Sequence, residues 1–179
     1  MPRLFTGLEI PHDVGFALSL KRGGLGKSRW IDASNYHITL HYIGDVDNQT
    51  GNAVANCLDG LRVDPPFSVT INQLGVFGGN RPRVLYAGVE PCPQLLALHE
   101  MHERALQKIG LKPEGRKFTP HVTLARLNGV SAEEVANHIG RAGVFYPLTF
   151  TVNQFVLYSA KDSVGGGPYL VEERYPLAA

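Results

Sequence analysis

The stretch Asn35-Tyr36-His37-Ile38-Thr39-Leu40-His41-Tyr42-Ile43-Gly44 returns in altered form 84 residues later, counted from His37 to His121, as Phe118-Thr119-Pro120-His121-Val122-Thr123-Leu124-Ala125-Arg126. Both copies read His, an aliphatic residue, Thr, Leu. Alternate side chains of an extended strand face opposite sides. His37 and Thr39 therefore share one face and Ile38 and Leu40 the other, with the same division of His121 and Thr123 from Val122 and Leu124. Each copy presents an imidazole beside a hydroxyl, backed by core. With this chain's residue frequencies, two histidines would both open such a pattern on the order of once in a hundred thousand compositions.

Outward from the first copy, Trp30-Ile31-Asp32 leads into the strand and Gly44-Asp45 closes it. Before it, Leu4 to Ile10 is a short apolar strand ended by Pro11, His12 belongs to the turn, and Asp13 is placed to cap a helix reaching Lys21. Lys21 to Arg29 is basic and Gly-rich but lacks the GxxxxGK spacing of a phosphate cradle, so it reads as a surface loop whose cations can line a path. Thr50 to Leu61 carries Val54, Leu58 and Leu61 at helical spacing. Phe67 to Val76 and Arg83 to Val89 alternate as two strands joined by Gly78-Gly79-Asn80-Arg81-Pro82, a hairpin composition.

Pro93 opens a helix with an apolar stripe of Leu95, Leu98, Ala105, Leu106 and Ile109, and Gly110 is placed to end it. His99 and His102 on this helix are three apart, whereas HExxH zinc sites need four; His102 is expected at the core edge and His99 solvated or hydrogen-bonded. After the second copy, Ser131-Ala132-Glu133-Glu134 has the capping-box pattern and starts a helix to about Arg141, with His138 on its surface. Leu148 to Ser159 reads as one long alternating strand, Asp162 to Pro168 as a Gly-rich loop, and Tyr169 to Tyr175 as a last strand.

The element order implies an α+β fold of two similar halves within a single domain, 1–179, each giving one His-x-Thr strand to a shared sheet or cleft. Hydrophobic residues make up 44% and charged residues 18%, which excludes a disordered chain, and a formal charge of +1 excludes a long electrostatic track for duplex nucleic acid. Cys57 and Cys92 are too few for a disulfide scaffold and lack metal-ligand spacing. No apolar run approaches a membrane span and Met1-Pro2-Arg3 leads into no signal-peptide core, so a cytoplasmic protein is expected, monomeric by default.

The paired motifs, with Arg29-Trp30 before the first and Lys117-Phe118-Thr119-Pro120 before the second, resemble the two-histidine (2H) phosphoesterase superfamily. Within it they are similar to the LigT-like RNA 2′,3′-cyclic phosphodiesterases, also described as 2′-5′ RNA ligases. Arg3-Leu4-Phe5, Arg83-Val84-Leu85-Tyr86 and Leu157-Tyr158-Ser159 extend the likeness over nearly the whole chain; His41-Tyr42 departs from the family's usual basic or apolar residue followed by Phe. The resemblance implies a bilobal fold with antiparallel sheets around a central groove. It implies hydrolysis of 2′,3′-cyclic phosphates of RNA ends or nucleosides to 2′-phosphomonoesters, with neither metal nor cofactor, and with 2′-5′ ligation as a related activity. It makes His121 the general base and His37 the general acid, with the reverse assignment open.

Those residue types suit the chemistry. Imidazole titrates near neutrality, so one ring can take a proton while the other gives one. Thr39 and Thr123 can donate hydrogen bonds to nonbridging phosphate oxygens. Arg126 matches the family's arginine, yet five residues from His121 strict alternation turns it to the opposite face. A bulge, a twist or the strand end must redirect it, or it is a surface arginine. Phe5, Trp30 and Tyr42 are either core or base-stacking residues. Two other readings stand beside the first: a noncatalytic nucleotide- or RNA-binding domain, and a two-histidine enzyme for another cyclic phosphate or for 2′-5′ linked RNA.

Overall fold

The two motif copies lie side by side at the middle of one antiparallel sheet. The computed structural model describes residues 2–160 and 167–178. Its strands are β1 (Arg3–Glu9), β2 (Arg29–Trp30), β3 (His37–Asp45), β4 (Phe67–Phe77), β5 (Val84–Val89), β6 (His121–Arg126), β7 (Leu148–Val152), β8 (Gln154–Ser159) and β9 (Leu170–Pro176). The helices are α1 (His12–Ser19), α2 (Asn48–Asp59), α3 (Pro93–Lys108) and α4 (Ala132–Arg141). The sheet runs β7-β4-β5-β6-β3-β1-β8-β9, with the short β2 added to β6. The expected α+β class is the one found. Its two four-stranded halves meet where Ile38 of β3 pairs with Val122 of β6.

These halves are interleaved in sequence. The half holding β3 takes its outer strands β8 and β9 from the far end of the chain, while β4 to β7 make the other. The single strand expected at 148–159 is accordingly broken at Asn153: β7 pairs with β4 and β8 with β1, in opposite halves. The core-facing phase shifts at the break: Phe150 and Val152 face the main core before it and Phe155 and Leu157 after it, and β8 is buried on both faces from Phe155 to Ser159. The loop expected at 162–168 lies outside the described residues from 162 to 166.

Helix starts follow their side chains, with small displacements. Ser131 accepts from the Glu134 N–H at 3.1 Å, as the capping pattern requires, and Asp47 caps α2 through the Thr50 N–H at 2.7 Å, so that the helix begins at Asn48, two residues ahead of the expected start. Asp13 does not cap α1; the helix begins at His12 after Pro11, and Asp13 lies in its first turn, where its charge meets the positive end of the helix dipole. On α3 the apolar stripe packs onto the sheet, with Leu95, Leu98 and Leu106 in the same core as Ile38, Leu40, Val122 and Leu124. Each such leucine contributes about 2 to 3 kcal/mol by leaving water. His102, expected at the core edge, is instead fully buried: Nδ1 donates to the Leu98 carbonyl at 2.8 Å and the ring meets Phe155 edge-on at 4.6 Å.

Both motif strands carry a bulge at the same place. Along β1–β3 the register steps from Gly7↔Thr39 to Thr6↔His41, and along β5–β6 from Tyr86↔Thr123 to Leu85↔Ala125, so Leu40 and Leu124 have no opposite number. One extra residue reverses the alternation beyond it. Leu40 and His41 are consecutively buried, as are Leu124 and Ala125. Tyr42 and Arg126 consequently return to the face of the histidines.

Candidate active site

Across the β3–β6 seam lies a cavity of about 380 Å³ whose walls include His37, Thr39, His121 and Thr123 together with Tyr42 and Arg126. An adjoining cavity of about 730 Å³ shares Thr39, Phe77, His121, Arg116 and Arg126 with it and extends over Arg83, Lys117 and Phe118. One continuous groove results, carrying the histidine and threonine pairs at its narrower end.

Both imidazoles are held alike. His37 Nδ1 lies 3.0 Å from the Asn35 carbonyl and His121 Nδ1 lies 2.7 Å from the Thr119 carbonyl, in each case two residues back along the chain. A carbonyl only accepts, so each neutral ring carries its proton on Nδ1 and keeps a lone pair on Nε2, the atom left for the cavity. The Nε2 of His37 receives the Thr39 hydroxyl hydrogen at 3.0 Å. Strand alternation makes this possible, because i and i+2 project together.

The surroundings differ. Phe5, Tyr169 and Tyr158 pack about His37 with ring centroids at 4.9, 5.0 and 5.5 Å, and Gly7 makes room for them: a Cβ there would stand 2.7 Å from the Ile38 carbonyl oxygen and 3.2 Å from the Tyr158 ring. Burial among these rings pushes the His37 imidazole down to about 4, opposed by the Asn35 carbonyl and assisted by positive charge on His121 and Arg126. His121 has Phe77 at 4.9 Å and Tyr86 at 5.3 Å and is also lowered, by burial, against the pull of the Thr119 carbonyl. A Cβ at Gly75 would overlap the Tyr86 ring, so that glycine sets where the ring can lie.

Of the residues singled out from sequence, His37, Thr39, His121, Thr123, Arg126, Phe5 and Tyr42 all line the first cavity. Phe5 is 4% exposed and serves as core and wall at once, whereas Tyr42 is 48% exposed and free to present its ring. Trp30 is not at the groove. It pairs with Ala125, whose side faces inward, and packs on the core around Leu25, Leu85 and Val135, which fits the core reading of this residue rather than base stacking. Sequence reading left Tyr158 and Tyr169 unassigned and did not single out Phe77, Tyr86 or Arg116. Their strands and loop were visible, but not their approach to a histidine far along the chain. Three metal-capable side chains converge among the described residues, His41, Glu103 and Glu114, with donor atoms within 4.8 Å of one another.

Fold and site define a two-lobed α+β protein with paired His-x-Thr strands opening on one groove. The chain belongs to the 2′-5′ RNA ligase superfamily, which matches residues 25–163. It is 30% identical over 178 residues to the RNA 2′,3′-cyclic phosphodiesterase of Thermotoga maritima, with 94% of this chain and 92% of that one aligned. To the Escherichia coli K12 protein of the same name it is 28% identical over 179 residues, 98% of this chain and 96% of that one. The crystal structure of E. coli LigT complexed with 3′-AMP shares the fold, with a TM-score of 0.77 at 24% identity over 100% of both chains. No helix among the described residues is long and apolar enough to cross a membrane.

Proposed function

We infer that the chain is an RNA 2′,3′-cyclic phosphodiesterase that opens the cyclic phosphate to a 2′-phosphomonoester. The observation that carries this is the matched pair of imidazoles, each fixed by Nδ1 to its own backbone, beside a threonine hydroxyl on a common groove. The curated relatives of the same name support it over nearly the full chain.

In the reaction, the Nε2 of His121 takes a proton from water as its oxygen bonds to phosphorus. The P–O3′ bond breaks, and the Nε2–H of His37 delivers a proton to the leaving O3′. Thr39 and Thr123 donate to the nonbridging oxygens, and Arg126 adds a charge-assisted contact where negative charge accumulates. His37 is neutral at pH 7 in the free protein, so the acid role requires that the ring take up a proton from solvent as the phosphodiester anion binds beside it. An anion beside the ring offsets the burial that holds the imidazole near 4. Thr39 then releases Nε2 and turns its hydroxyl to the phosphate.

With a 5′-hydroxyl in place of water, the same displacement of O3′ forms a 2′-5′ phosphodiester, the ligation that the family description names. The decisive test is hydrolysis of nucleoside 2′,3′-cyclic phosphates and of RNA bearing that end, the product read by phosphorus NMR. A 2′-monophosphate lost in both His37→Ala and His121→Ala is the expected result; nucleotide binding with no turnover would leave a recognition domain instead.

A further inference from the structure

The loop between α3 and β6 is fastened on both sides of Arg116. Ahead of it, the Glu114 N–H donates to Glu103 Oε1 at 2.7 Å, while the other oxygen of Glu103 lies 2.8 Å from Nδ1 of His41. Behind it, Phe118 stacks face to face on His99, centroids 4.0 Å apart and planes within 3°, and Nδ1 of His99 donates to the Leu40 carbonyl at 2.7 Å. Glu103 and His99 are one turn apart on α3, so both project from the same face. Leu40 and His41 are the bulged residues of the first motif strand. One face of α3 thus joins the first motif strand to the segment that precedes the second.

We propose that Arg116 is a substrate-binding residue, and that His99 and Glu103, with His41, form a bracket that holds it at the groove. Arg116 lines both cavities, between the histidine pair and the basic extension over Arg83 and Lys117, where a guanidinium can grip a phosphate bidentately. Its own loop is irregular and exposed, and without anchors a contact from it would have to overcome the entropy of an unfastened backbone. His41 supports the role by its position. It is 1% exposed, and its Nδ1 touches Glu103 Oε2 at 2.8 Å without a well-aligned hydrogen bond, so the two side chains are held in contact beneath the loop.

The inference rests on the cyclic phosphodiesterase reading, but its test does not require turnover. Binding of adenosine 2′-monophosphate is measured by calorimetry on the full chain, and KM for adenosine 2′,3′-cyclic phosphate alongside it. Arg116→Ala weakens binding about tenfold, the scale of a lost charged hydrogen bond. Glu103→Ala and the double variant His99→Ala/Glu103→Ala raise KM severalfold with kcat held within about twofold, and Glu103→Gln, which keeps a carbonyl oxygen for the Glu114 N–H, recovers most of the loss. The distinguishing readout is the cycle: in the Glu103→Ala background, Arg116→Ala adds less than about threefold, because a loosened arginine has little left to lose. Thermal melts check that the variants fold, and Glu103→Gln carries the test where an alanine variant does not. Full additivity, or unchanged binding by Arg116→Ala, overturns the proposal while leaving the activity standing; absence of both turnover and nucleotide binding in the wild-type chain sinks both. Stabilisation by zinc that His41→Gln abolishes would reassign the bracket to a cation and also overturn it.

Discussion

The half of the molecule around His37 and the half around His121 share a backbone plan and differ in almost everything hung on it. Both supply His, then Thr on the same face, a bulge at the next leucine, and a carbonyl two residues back that fixes Nδ1. After the bulge they part. His41 is buried against Glu103 where Ala125 is simply packed, and Tyr42 stands where the other half has Arg126. His37 sits among Phe5, Tyr158 and Tyr169, while His121 meets Phe77 and Tyr86 and faces a wall that continues over Arg83, Arg116 and Lys117. Duplicated geometry puts two imidazoles on one groove; unlike surroundings give it an aromatic side around His37 and a basic side beyond His121.

The largest effect tests what the halves share. His37→Ala and His121→Ala each reduce kcat by about a thousandfold or more with little change in melting temperature, since both are positioned proton donors or acceptors. Appreciable turnover in either variant breaks the equivalence. Thr39→Val and Thr123→Val follow, each lowering kcat about a hundredfold if the hydroxyls meet charge that develops in the transition state. A loss confined to KM would make them ground-state contacts.

Proton affinity is where the halves should separate most cleanly. Histidine ring resonances followed against pH will show His37 titrating at about 4 in the free protein, and addition of a nucleoside 2′-monophosphate will raise it. An apparent value at or above the ordinary imidazole range without ligand removes the aromatic-shell account.

His102 provides a control in the core, also held down to about 4 by burial. Its folded value lies below the unfolded one, so its contribution to stability is complete above about pH 6.5 and is lost as pH falls towards 4; the full span amounts to about 3 kcal/mol. Denaturant melts of His102→Leu should show a shallower loss of stability across that window, with catalysis unchanged. An identical acid limb would show that the ring is not the group responsible.

The smallest effects concern the positions after the bulge. Arg126→Ala lowers kcat/KM about tenfold and the loss shrinks in high salt, as a charged contact predicts. Tyr42→Ala raises KM about fivefold, with little salt dependence and with a magnitude that varies with the base. Interchangeable behaviour of the two would mean that the halves do not divide the substrate between base and phosphate.

Much of this plan was legible in the chain. The motif strands, the apolar stripe of α3 and the Ser131 cap are local patterns, set by the two-residue repeat of a strand, the 3.6-residue repeat of a helix and the unsatisfied N–H groups at a helix start. Arg126 marks the limit. Alternation alone turned it away from His121, and only pairing with β5 put Leu124 in a bulge and brought the guanidinium back. Trp30 shows the converse: core and stacking were both open to it, and its pairing with Ala125 sent it to the core. β7 alternates and β8 is buried from Phe155 to Ser159, yet nothing local to either strand tells which half of the sheet it joins.

The sequence by itself determined the pair of imidazole and hydroxyl faces and the helices that cover their backs, because those depend on steric repeats within a few residues. Tertiary structure alone decided that the two faces open on the same groove, that β8 and β9 join the first half and β7 the second, and that α3 reaches both the bulge and the arginine loop. Such choices follow from which distant surfaces bury each other best, a property of the whole chain that no short segment carries.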